Sequence, residues 1–453
     1  DDCLAVKEHT LSEKEEALLA KASQMSTVPD EVFSKFNNAD VKFGKVKREN
    51  GQEDELTNGN FATFMESQDR TVRKAAFEAL YKQYGAYINT IAAAFYGNVK
   101  QAMFYADARG YKSTLNMYLD GSFIPENVYK NLIKTVNDNL DKMYRYVDIR
   151  KKALGVDELH FYDIYAPMVE DIDWKISYDE AKDIVVNALA PMGEEYVSHI
   201  KEGFNNGWVD VYENTGKRSG AFSWGAYGTH PYVFLNYSDT LNDVFTVIHE
   251  MGHAMHTYYS NANQPYIYAG YKIFVAEVAS TCNEAILMQY MLKNTDDEKK
   301  KRYLLNHFFE QFKGTLYRQT MFAEFEMEAH AKAEHGEVLS AESLCAMYKK
   351  LNEKYFGPDM VIDDEIALEW ARIPHFYTPF YVYQYATGYS AAIAISTKIL
   401  AGDEQVIAGY RKFLSGGSSM HPIELLKLCG IDMTRPDVVQ EALDVFGELL
   451  KQW

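Results

Sequence analysis

The feature that most constrains this chain is the return of apolar residues at intervals of three and four along most of its length. From about Gln68, the positions Val72, Ala76, Phe77, Leu80, Tyr84, Ile88, Ile91 and Phe95 mark one face of a long helix. Ser12-x-x-Glu15 has capping-box spacing at the head of a helix over 11–23. Pro125 suits the first position of another helix that runs to about Leu154, and 178–189 and 192–205 read as two more. The polar stretch Asn38–Gly59, with Gly51 and Gly59, is the best early loop or boundary. The pattern changes only between Trp208 and Tyr237. Residues 208–213 alternate, 214–217 signal a turn, and 232–236 read as a strand after Gly220, Gly225 and Gly228. Helical periodicity resumes at Asp243 and holds to the C-terminus. The expected fold is mostly α, with one small antiparallel β-sheet and neither internal repeats nor low-complexity segments.

Composition excludes several classes. The 453 residues carry a net charge of −19, from 46 Lys and Arg against 65 Asp and Glu. Nucleic acid and anionic membranes both require a basic surface, so neither is expected as a partner. The longest apolar candidate, Ile91–Tyr105, is interrupted by Gly97, Asn98, Lys100 and Gln101, well short of the roughly 20 residues that span a bilayer. Cys3, Cys282, Cys345 and Cys429 are far apart, which disfavours a disulfide framework or a cysteine zinc site and is simplest in a reducing cytoplasm. The chain does not begin with Met, so a processed or shortened form is expected.

The sharpest motif is His249-Glu250-Met251-Gly252-His253. On a helix, positions i and i+4 lie about 40° apart around the axis and one turn apart along it. Two imidazoles at that spacing can share one metal, and the intervening Glu250 can take a proton from metal-bound water. The bland alternative is a surface helix with two unrelated histidines. Gly252 is costly inside a helix, and it is the type of residue that lets another backbone come close. A catalytic zinc needs a third protein ligand. His256 shares the face but lies about 10 Å along the axis from His249, too far to join, so it reads as a packing or supporting residue. Glu277, set among Phe274, Val275, Val278 and Cys282, is the better candidate, because a carboxylate among apolar residues must be paired or bound to metal. Glu284, two turns on, either orients a ligand histidine or is itself the ligand; Glu277 is preferred.

A second dense region is Ile373–Tyr389, which holds His375, Tyr377, Tyr381, Tyr383, Tyr385 and Tyr389 with Pro374, Pro379 and Gly388. A zinc hydrolase needs donors aimed at the carbonyl oxygen under attack, and His and Tyr suit that task. For most of these tyrosines the expected role is core packing, whereas His375 and at least one tyrosine are candidates for catalysis. Gly388 permits close backbone approach. The glycine-rich segment Gly225-Ala226-Tyr227-Gly228 precedes the motif helix, and beside a metal a strand edge there would pair with an extended peptide. The ordinary alternative is a simple hairpin. Last, 413–422 contains Gly416 and Gly417 and reads as a flexible loop.

At these residues the sequence resembles the thimet-oligopeptidase family of zinc metallopeptidases, above all its oligoendopeptidase F branch. The matching stretches are 219–223, 231–237, His249–His256, 274–281, 373–377, 383–388 and the tail 415–433, with further likeness at 11–19 and 159–168. The resemblance implies a two-lobed helical peptidase with a deep channel for short peptides. It implies one zinc per chain on His249, His253 and Glu277, Glu250 as general base, and His375 as the histidine that activates the substrate. For the tyrosine that steadies the transition state it leaves Tyr383 or Tyr385, with Tyr381 behind; Tyr381, Gly225, Tyr227, Gly228 and Gly388 are expected to line the substrate. The branch usually carries a longer N-terminal helical region, so 1–60 is expected to be the remainder of one and 61–453 the catalytic region. The expected protein is a cytoplasmic zinc endopeptidase for oligopeptides, a monomer or small homo-oligomer with no nucleic-acid or membrane partner. The alternatives are a zinc carboxypeptidase or dipeptidase, which needs a cation such as Arg318, Arg372 or Lys398 for the substrate carboxylate, and a peptide-binding protein without catalysis.

Overall fold

A computed structural model describes residues 6–170, 172 and 174–453; Cys3 lies outside them. Its elements are mainly helices. The capping box at Ser12 forms, with the Glu15 carboxylate accepting from the Ser12 N–H at 3.0 Å and from its hydroxyl at 2.6 Å. The helix that follows spans Glu13–Ser26. The long helix expected from Gln68 is two helices, Arg70–Ala86 and Ile88–Ala108, broken at Tyr87. Gly85 weakens the helix just before the break, and both helices bury the same apolar stripe, so the pattern runs through the interruption. The helix expected from Pro125 to Leu154 is likewise two, Glu126–Asn137 and Leu140–Leu154. Asn38–Gly59 holds a short antiparallel hairpin, Lys45–Lys47 against Glu53–Glu55.

The chain forms two compact units that are not consecutive in sequence. One comprises 1–121, 140–168 and 320–382. Its core gathers Phe95, Phe325, Trp370 and Phe376, with Phe325 and Phe376 rings 5.1 Å apart. Within it Asp163 is fully buried and answered by two cations, Arg70 and Arg73, each at 2.8 Å. Burial alone would raise the Asp163 carboxyl, but hydrogen bonds from the two guanidinium groups hold it below the usual carboxylate range.

The other unit comprises 122–139, 169–319 and 383–453. At its centre lies Ile273–Lys293, a helix apolar nearly all round, packed against both Leu241–Asn263 and Tyr383–Leu400. A helix of that composition has no water-facing side and must be enclosed. The sheet expected to be antiparallel is mixed. Phe222–Trp224 runs antiparallel to Tyr232–Phe234, but Val209–Asp210 pairs parallel to the other edge of that central strand. The turn at 214–217 forms, but the chain then runs on to 222 before pairing, which places the first strand on the far side. Cys282, Cys345 and Cys429 are free thiols. Among the described residues no helix is long and apolar enough to cross a membrane.

Candidate active site

The helix Leu241–Asn263 starts at a capping box. The Thr240 hydroxyl accepts from the Asp243 N–H at 3.2 Å, and the Asp243 carboxylate accepts from the Thr240 N–H at 2.9 Å. From there an unbroken helix carries His249 and His253 to one side, their Nε2 atoms 3.2 Å apart. Glu277, on Ile273–Lys293, brings Oε2 to 3.5 Å from His249 Nε2 and 3.4 Å from His253 Nε2. Ligand atoms at about 2.0–2.1 Å from a tetrahedral zinc stand about 3.3 Å from one another. The triangle of donors therefore has the size that zinc requires. Among the described residues these three are the one group of His, Cys, Asp or Glu side chains placed to hold a metal ion.

The two carboxylates of the second helix take different positions. Glu277 faces both Nε2 atoms, whereas Glu284 hydrogen-bonds Nδ1 of His249 and accepts from Gln311 Nε2 at 2.7 Å. Burial would lower the His249 pKa, but the bond to Glu284 and the charges of Glu284, Glu277 and Glu250 overcome it and lift the imidazole to about 9. For Glu277, burial raises the carboxyl, and His253, His249 and Ser280 outweigh it and bring it to about 2. Without a metal the cluster is thus a histidine–carboxylate ion pair. Glu250 is buried, and its Oε2 has no hydrogen-bond partner among the described residues. Burial raises its carboxyl, an effect the two histidines only partly offset. His256 stays out of the cluster. It is fully buried, stacked on Tyr271 with ring centroids 3.7 Å apart, and burial brings its pKa down to about 3.

Gly252 explains how the two helices come close enough. A Cβ there would lie 2.6 Å from the Ser280 Cα, a distance no side chain tolerates. Three polar residues that the sequence reading did not single out complete the arrangement. The Ser280 hydroxyl donates to Glu277 Oε2 at 3.0 Å. Asn283 donates to the Ile248 carbonyl at 3.3 Å and accepts from the Tyr196 hydroxyl at 3.1 Å, tying the helices together. Gln311 steadies Glu284. The signal for Ser280 lay in the helix itself, since Glu277, Ser280 and Glu284 follow at i, i+3 and i+7, a polar line on an otherwise apolar cylinder.

The remaining candidates are distributed as follows. His375, exposed, and Tyr381 belong to the first unit and stack, with centroids 6.0 Å apart and planes 7° from parallel. Tyr383 is buried in the second unit between Tyr129 and Phe274, at 4.9 and 6.1 Å, which gives its ring a packing role; Tyr385 is half-buried. Tyr377 stacks on Phe33 and Tyr389 packs on Phe312, both in core positions. A Cβ on Gly388 would meet nothing within 4 Å, so no backbone approaches it among the described residues. Gly225 is tight: a Cβ would come within 3.1 Å of Thr257 on the His249 helix. Gly228 has φ 86°, a turn conformation suited to glycine, and the Tyr227 hydroxyl donates to the Gln264 carbonyl at 3.0 Å. The 413–422 loop, expected to be flexible, is pinned. A Cβ on Gly417 would lie 2.0 Å from the Tyr268 carbonyl oxygen, and Ser418 N–H donates to that oxygen at 2.8 Å. Lys398 is paired with Glu441 and Arg372 lies over the Phe61 ring, so two of the three cations considered for a carboxypeptidase are engaged elsewhere.

Comparison with known proteins shows the family. The pattern of Peptidase family M3 matches residues 63–445, and that of Oligopeptidase F matches residues 1–43. Oligopeptidase PepF of Bacillus subtilis (strain 168) is 53% identical over 444 residues, covering 98% of this chain and 66% of that protein. This chain thus spans just under two thirds of that relative's length. A crystal structure of oligoendopeptidase-F from Enterococcus faecium superposes with a TM-score of 0.84 at 37% identity, over 99% of this chain and 75% of that one. A crystal structure from Chlamydophila abortus superposes with a TM-score of 0.94 at 39% identity, with the same coverage of 99% and 75%. By sequence and by fold, the chain belongs to peptidase family M3, in its oligoendopeptidase F branch.

Proposed function

We propose that this chain hydrolyses internal bonds of short peptides with one zinc ion held by His249, His253 and Glu277. The observation that carries this reading is the donor triangle, with edges of 3.2, 3.4 and 3.5 Å on two helices locked together at Gly252. The names of the relatives, an oligopeptidase and an oligoendopeptidase, support short peptides as the substrate class. Zinc in such a site supplies a Lewis acid that polarises the scissile carbonyl and acidifies a water molecule.

The chain's own residues do the rest. Glu284 holds the His249 ring by Nδ1 and leaves Nε2 for the metal. Glu250, whose Oε2 has no partner among the described residues, takes the proton from the attacking water and delivers it to the leaving amine. His375, with Tyr381 stacked on it, donates to the substrate carbonyl oxygen as negative charge gathers there. Tyr385 stands as the second candidate for that donation.

The test is Glu250→Gln. The amide keeps size and shape but cannot accept the proton. Zinc content should stay at one per chain while turnover of an internally quenched peptide of about eight residues falls by about 10²- to 10⁴-fold. Near-normal turnover with zinc retained would overturn the role given to Glu250.

A further inference from the structure

Phe380 is one of three non-glycine residues among those described with a left-handed backbone, φ 55°. It lies in the turn between the helical turn Pro374–Tyr377 and the helix starting at Tyr383. A bulky side chain persists in that region only where its surroundings impose it. Here they do. The Phe380 N–H donates at 2.9 Å to Oε1 of Glu326, which projects from Arg318–Glu334 and is 0% exposed. One turn further along that helix, His330 packs its ring on Phe380 with centroids 4.6 Å apart. His330 is held in turn by Thr114. The Thr114 hydroxyl donates to Glu334 at 2.7 Å and stands 2.9 Å from His330 Nδ1. The start of the segment is gripped as well, since buried Asn98 donates to the Phe376 carbonyl at 3.3 Å.

Glu326 is an expensive choice for mere packing. Its second oxygen has no partner among the described residues, and burial pushes its carboxyl well above the ordinary range. An apolar side chain of similar volume would avoid that cost. What the carboxyl provides is an acceptor for the N–H of a turn that no helix or strand satisfies. The residue that follows the turn, Tyr381, lies back against His375.

We propose that Glu326 is a positioning residue for the reaction: by accepting the Phe380 N–H it fixes the left-handed turn and so the stacked His375–Tyr381 pair. This rests on the role proposed above for His375. The decisive comparison is Glu326→Leu with Glu326→Gln, each beside His375→Ala. Gln keeps an oxygen for the Phe380 N–H, so kcat should stay within about threefold of the parent. Leu keeps the volume and loses the acceptor, so kcat should fall on the order of 10- to 100-fold with KM, zinc content and melting temperature little changed. A Leu variant that is folded and retains kcat, or a Gln variant that falls as far as Leu, would overturn the proposal. His375→Ala separates the two ideas. Retained turnover there would overturn the reading of His375 and this proposal with it, whereas lost turnover beside an active Glu326→Leu would overturn this proposal alone. Hydrogen exchange in the unaltered protein gives a second readout that does not depend on whether a variant folds. The Phe380 amide should exchange far more slowly than an open-chain amide, although it lies outside any helix or strand, and exchange at the open-chain rate would overturn the proposal.

Discussion

The two places to which we assign the chemistry are built by different means. His249, His253 and Glu277 stand on two long, regular helices, and their convergence follows from helical pitch, one glycine and one cap. His375 and Tyr381 stand on an irregular segment with a residue at φ 55°, held by buried polar groups from other helices. Regular backbone places side chains through its period, so geometry can be computed from spacing. Irregular backbone has no period, and each position must be held by a specific partner. The first kind of site should fail when helices are pushed apart, and the second when a single acceptor is lost.

The largest effect that would sharpen this contrast is expected at Gly252. Gly252→Val would drive a side chain into the Ser280 backbone and separate the two helices. Zinc binding should be lost, and stability should fall by about 1–3 kcal/mol or more, measured by metal analysis and denaturant unfolding. A variant that binds zinc normally would show that the close approach is not what sets the site.

A smaller effect is expected one layer out. Glu284→Ala frees the His249 ring, and zinc affinity should fall about 10- to 100-fold in a competition titration with a chelator. The same bond shapes the pH response. In the metal-free protein His249 is lifted to about 9, so at neutral pH it carries a proton that zinc must displace. Affinity should therefore weaken as pH drops from about 9, by about tenfold per pH unit. Zinc uptake at pH 7 should release about one proton more than in Glu284→Ala, read by calorimetry in two buffers of different ionisation enthalpy. Equal release in both proteins would remove Glu284 from that role. The smallest effect belongs to the cap. Thr240→Ala should cost about 1 kcal/mol of stability with zinc affinity unchanged, since the helix frays six or more residues before His249.

The same contrast decides what could be read from the sequence. The His249–His253 pairing and the Ser12 cap follow from local spacing, and the structure shows both. The breaks at Tyr87 and at 138–139 were not legible, because helices on either side share one apolar stripe and the pattern does not register the change of axis. The parallel pairing of Val209–Asp210 was missed because a strand of two residues carries no register of its own. Gly416 and Gly417 suggest flexibility, although Gly417 serves close approach to Tyr268; glycine in a sequence signals both, and only the neighbouring backbone distinguishes them. The left-handed Phe380 was invisible for the same reason, since Glu326 is 54 positions away.

The central claim is that one zinc on His249, His253 and Glu277 performs the peptide hydrolysis. The direct measurement is metal content and cleavage of a quenched peptide of about eight residues, in one preparation, through removal by chelator and stepwise return of zinc. The account predicts that cleavage disappears with the metal and returns in proportion, saturating at one zinc per chain, and that His253→Ala neither binds nor cleaves. Cleavage that survives complete removal of metal, or a His253→Ala protein that still binds one zinc and cuts the peptide, would contradict it.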